Sequence, residues 1–158
     1  MTQPSFAKVA IREKIASFDE ETLDGLVKAG IDKHTLTAAK LIPLIAVAWS
    51  DDKMESNEVD AIVRAARAYG IEDGSDEHTL LQGWLRVQPS EDLFETWKGF
   101  IAGMVQTYSK KDIAVLKEEI VTLSINVAEA AGGFLRILAI SAREQQILTE
   151  IKRAFKSV

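Results

Sequence analysis

Residues 41–71, LIPLIAVAWSDDKMESNEVDAIVRAARAYGI, are apolar at their start, then break into carboxylates at Asp51, Asp52, Glu55, Glu58 and Asp60, then resume a helical pattern. The apolar run LIPLIAVAW is far too short to cross a bilayer, which takes about 20 such residues. It is apolar nearly all round, so it reads as the end of a buried helix running from Asp32, its cap, to about Ser50. Pro43 lies inside that helix and should kink it or mark its true start, because an interior proline costs about 3 kcal/mol. A further helix is expected from about Ser56 to Tyr69, stopped at Gly70-Ile71 by a glycine-then-apolar ending of the Schellman type.

Helical periodicity extends outward in both directions. A first helix covers about 5 to 17, and Ser17-Phe-Asp-Glu20 has the capping-box pattern that opens a second. That helix ends at Gly30-Ile31, the same stop signal as Gly70-Ile71. Ser75 is placed to cap a fifth helix, and Pro89-Ser90 opens a sixth. The sixth carries Leu93, Phe94, Trp97, Phe100, Ile101, Met104, Val105 and Tyr108 in a 3.6-residue stripe, read as core rather than as a cofactor box. A seventh has Ile113, Leu116, Ile120, Leu123 and Val127, and no alternating strand pattern occurs. The expectation is an all-α bundle of about seven or eight helices in a single domain. Its 158 residues, 47% hydrophobic, can bury a real core. Most of the nine glycines are expected where helices stop.

Composition excludes several functions. Without cysteine there is no disulfide, thiolate metal site, thiol nucleophile or direct thiol redox chemistry. A net charge of −5 opposes nucleic acid as main partner and opposes broad adhesion to anionic lipid. Neither a signal-type apolar core nor a small-residue cleavage site marks the N-terminus, so a cytoplasmic protein with no membrane span is expected.

The chain also repeats itself. Leu41, Ile45, Val47 and Ala48 align with Val121, Ile125, Val127 and Ala128, and beyond the turn Met54, Glu58, Ile62, Ala68 and Tyr69 align with Ile140, Glu144, Leu148, Ala154 and Phe155. Two helix-loop-helix units, about 35–70 and 113–157, are therefore expected to face one another, with 1–31 and 75–109 supplying flanking and connecting helices.

Three chemistries compete for the acidic turn. Ser141-Ala-Arg-Glu144 is a capping box, and by analogy Glu58 sits three residues into its own helix, with Glu55 or Ser56 as cap. First-turn acids also interact favourably with the helix dipole. Asp51 and Asp52 are different, because they end a helix where the dipole disfavours negative charge. A cation shared by Asp51, Asp52, Glu55 and Glu58 would relieve that crowding, and oxygen ligands select a hard ion such as Ca²⁺ or Mg²⁺. It is not an EF-hand: counting from Asp51, position three is Lys53 and position twelve is Ile62. A catalytic acid pair is the weakest reading, since nothing in the sequence buries one carboxylate and not its neighbour. His34 and His78 stand apart, and neither HExxH nor a phosphate loop occurs.

Residues 41–71, with INVAEAAGGF and ISAREQQIL in the second unit, resemble the TerB-like domain, named for the tellurite-resistance protein TerB. That family has an apolar helix, an alanine-Asp-Gly turn, an apolar residue and then a Glu; the corresponding positions here are Asp51, Met54 and Glu58. The likeness covers roughly 35 to 157. It implies an all-helical fold around two central pseudo-symmetric helices, here the third and seventh. It also implies a non-enzymatic role in stress or tellurite resistance, linked to metal ions and to other proteins of a stress-response assembly, a homodimer included. The N-terminal domain of the co-chaperone DjlA is similar in fold, so an adaptor without metal is the alternative. Asp52 replaces the turn glycine, and the second unit lacks the turn Asp, with only Glu129 and Glu144 left as acids there.

Overall fold

The computed structural model describes residues 6–15, 17–131 and 141–156, and among these it is all-helical, with no strand. The helices are α1 (Phe6–Lys14), α2 (Glu20–Lys28), α3 (Leu36–Ala39), α4 (Ile42–Ala48), α5 (Ser56–Ala68), α6 (Asp76–Arg86), α7 (Asp92–Thr107), α8 (Lys110–Ala131) and α9 (Ala142–Ala154), with a single 3₁₀ turn at Trp49–Asp51. Local chemistry sets most ends. Gly30 and Gly70 take φ of 87° and 83°. The next residue then reaches back, Ile31 N–H to the Leu26 carbonyl at 2.9 Å and Ile71 N–H to that of Ala66 at 3.0 Å, closing two Schellman motifs. Ser75 caps α6 through the His78 N–H at 3.1 Å.

Three expected boundaries shift. The single helix over 32–50 is two pieces, α3 and α4, because Pro43 stands in the first turn of α4, where its missing N–H costs nothing. Asp32 caps no helix; its carboxylate accepts from the His34 N–H at 2.8 Å in a local turn. Asp19, not Ser17, caps α2, accepting from the Thr22 N–H at 2.8 Å, and that hydrogen bond holds its carboxyl below the usual range.

In α4 every side chain except that of Ala46 is buried, and the helix packs on α8, α7 and α9. Each buried Leu or Ile contributes roughly 1.5–3 kcal/mol, so this short helix depends on its neighbours and not on its own propensity. The packing is reciprocal: α5 lies on α8 and α9 lies on α4. Of the aligned pairs, Val47 and Val127, Ala48 and Ala128, and Ile62 and Leu148 are buried in both hairpins, whereas Leu41 and Ile45 are buried and their counterparts Val121 and Ile125 are only partly so. Ile140, aligned with Met54, lies outside the described residues, as do residues 132–139. The α7 stripe is core as expected. Trp97 is fully buried, stacks on Phe94 at 5.6 Å and meets the edge of Phe155 at 5.8 Å, while Tyr108 at its end is exposed.

Four of the glycines are not at stops at all: Gly25, Gly83, Gly99 and Gly103 lie within helices. Three of them let α2 and its approach close on α7. A Cβ at Gly25 would strike the Thr96 hydroxyl, one at Gly99 the Thr22 hydroxyl, and one at Gly103 the Phe18 ring. Helix propensity alone favours alanine over glycine by about 1 kcal/mol. Gly99→Ala is nevertheless expected to lose roughly 1–3 kcal/mol in a urea melt, because the α2–α7 contact must open. An unchanged or raised midpoint would show that this contact is looser than drawn.

Candidate functional site

The elbow between α4 and α5 is built by one unusual residue. Asp52 takes φ of 63°, a left-handed conformation that Asp tolerates better than most side chains, and its N–H closes on the Trp49 carbonyl at 2.8 Å.

The four expected ligands meet different hydrogen-bond partners at the elbow. Asp51 is exposed and accepts from the Lys53 N–H at 3.2 Å. Asp52 turns the other way, accepting from the Gln88 amide at 3.0 Å; Gln88 comes from the α6–α7 connection and also reaches the Trp49 carbonyl at 3.4 Å. Glu55 is exposed at the N-cap of α5, and its N–H donates to Glu58 Oε1 at 2.9 Å. Only Glu58 is buried, at 2% exposure. Among the described residues no three Asp, Glu or His side chains converge to hold a metal ion.

The aligned glutamates come out as equivalents. Glu144 at 7% exposure is buried like Glu58, and accepts from the Ser141 N–H at 2.9 Å while the Ser141 hydroxyl accepts from the Glu144 N–H at 3.1 Å. Burial pushes the Glu58 carboxyl up from 4.5 to about 7; the Glu55 N–H opposes the rise, and Asp51, Glu55 and Glu144 add to it. The elbow therefore contains unequal carboxylates after all, a distinction that the sequence pattern did not carry.

A cleft lies beside the elbow, with a volume of about 680 Å³. Ala46, the one part-exposed residue of α4, opens onto its floor with Ile45, Trp49 and Phe94, and α9 forms the far wall through Ala142, Gln146 and Ile147. Trp49 is held there by its indole N–H, which donates to the Trp84 carbonyl at 2.9 Å. Lys98 ties the α7 wall to the α9 wall through Glu95 at 2.7 Å and Glu150 at 2.8 Å. Of the four expected site residues only Asp52 lines this cleft, and Glu58 does not. Sequence reasoning missed it because its walls come from three distant segments. The polar Gln88-Pro89-Ser90-Glu91 connection, directly before an aromatic stripe, was the available signal. Compared with protein-family models, curated proteins and solved structures, the chain matches none.

Glu58 should make stability pH-dependent. Its folded pKa lies above its unfolded value, so its favourable contribution is complete below about pH 4.5 and is lost as pH rises through about 7. The full swing is on the order of 3 kcal/mol, at about 1.36 kcal/mol per pKa unit. Glu58→Gln keeps an acceptor for the Glu55 N–H and removes the titration. Urea melts should find the variant close to wild type at pH 5 and more stable at pH 8; equal differences at both pH values contradict a buried titrating Glu58.

Proposed function

We propose that this chain is a non-enzymatic protein-interaction module of the TerB-like kind, working in the cytoplasm within a stress-response assembly, with the cleft beside the elbow as its contact face. The cleft itself supports this reading. It joins an apolar floor, including a tryptophan held by a hydrogen bond, to a polar rim, the anatomy of a contact patch. The adaptor form is favoured over the cation-binding form because Asp51, Asp52 and Glu58 are each engaged by a separate protein donor. Tellurite chemistry, if this module serves it, runs through partners, since the chain carries no thiol.

A photocrosslinking residue at Gln146, exposed on the cleft wall, is expected to give discrete protein adducts in cells, and the same label at Glu118 on the exposed side of α8 is expected to give none. Equal adducts at both positions, or none at either, contradict the proposal. Calcium and EDTA should each leave the melting temperature within about 1 °C of its starting value. A calcium-dependent rise of several degrees, with terbium emission sensitised through Trp49, would favour the cation form instead.

A further inference from the structure

The geometry points to the cleft as the seat of a cationic amphipathic segment of a partner protein, a short helix with an apolar face flanked by Lys or Arg; this deepens the interaction-module reading and rests on it. The first argument is charge. Asp52, Glu91, Glu95 and Glu150 all line the cleft, against Arg143 as the one cation on the lining among the described residues. Lys98 answers Glu95 and Glu150 from the side, and Gln88 answers Asp52 with a neutral amide. Glu91 faces the cleft with no ion pair among the described residues, and Asp51 is exposed next to Asp52. The rim thus keeps unneutralised negative charge on the elbow side and at the start of α7. Such a field selects a basic partner and repels an acidic one, setting specificity and encounter rate more than bulk affinity.

The second argument is shape and floor. Lining residues on α9 run from Ala142 to Glu150, roughly 12 Å of helix axis, which matches about two turns of a docked helix. Ile45, Ala46, Trp49 and Phe94 contribute apolar lining to the same cleft, and Ala46 presents only a small side chain there. A helix laying an i, i+3/i+4 stripe onto such a floor and its Lys or Arg residues onto the flanking carboxylates is the recurrent helix-in-groove mode of recognition. Because Ala46 is the only part-exposed side chain of an otherwise buried helix, the occupant would contact the core helix directly.

The test uses three fluorescein-labelled model helices of about 14 residues, sharing one leucine stripe and carrying Lys, Glu or Gln on the polar face, titrated with the full chain at low salt. Anisotropy is expected to show saturable binding of the Lys helix with a Kd of roughly 10–100 µM and at least about tenfold weaker binding of the other two. Glu91→Lys, on the cleft, should weaken the Lys helix about tenfold, whereas Glu118→Lys, with the same change in net charge, should weaken it less than about twofold. Both residues are exposed, and unchanged melting curves would confirm that each variant folds. Three results overturn the inference: equal or tighter binding of the Glu or Gln helix, equal loss from the two variants, or self-association of the free chain that Glu91→Lys abolishes, which would assign the cleft to a second copy. Crosslinks at Gln146 without Lys-helix binding would leave the interaction module standing and reject only this partner chemistry.

Discussion

The burial of α4 against α8 is the contact from which the other features derive. A seven-residue helix made of Ile, Pro, Leu, Ile, Ala, Val and Ala has no polar face, and in water it would not persist. It is held because α8, α7 and α9 surround it, and because the same kind of apolar face on α8 is covered in turn by α5. Each hairpin therefore supplies the surface that the other requires. Short helices that cannot stand alone become stable in this way without a large domain.

Charge has to leave the core where α4 ends, and this accounts for the chemistry of the elbow. The chain must turn sharply, and the left-handed Asp52 makes the turn while sending its carboxylate to Gln88. Glu58 cannot leave in the same way. As the third residue of α5 it satisfies the Glu55 N–H, and Glu144 does the same for Ser141 on the aligned helix. Both capping glutamates are thereby buried, and burial is the main reason that the Glu58 carboxyl is pushed up to about 7, with Asp51, Glu55 and Glu144 adding to it. Ala46, Trp49 and Asp52 all line the cleft, so the cleft and the acidic elbow adjoin one another.

Helix stops and caps were legible because they are local: the residues of Gly30-Ile31, Gly70-Ile71, Ser75 and Ser141 carry their whole physics within a few positions. The apolar stripe of α7 was legible because a long amphipathic period is hard to mistake, and the pairing of Glu58 with Glu144 because their surroundings align. The break before α4 was hidden, since two short apolar helices in series have the same pattern as one. Gly25, Gly99 and Gly103 could not be read as contact residues because the reason for each lies on another helix. At the elbow the types of residue were legible and their directions were not. Asp52 accepts from Gln88, whose place beside the elbow depends on the tertiary fold and not on any local pattern.

Native-state hydrogen exchange tests the mutual burial of the two central helices most directly. If α4 and α8 hold one another, amides of residues 45–48 and 120–128 exchange only through global unfolding, with a common free energy equal to that from denaturant melts. Exchange of residues 45–48 at a free energy several kcal/mol below that of 120–128 would mean that α4 opens while α8 stays in place, and the account built on their interdependence would fail.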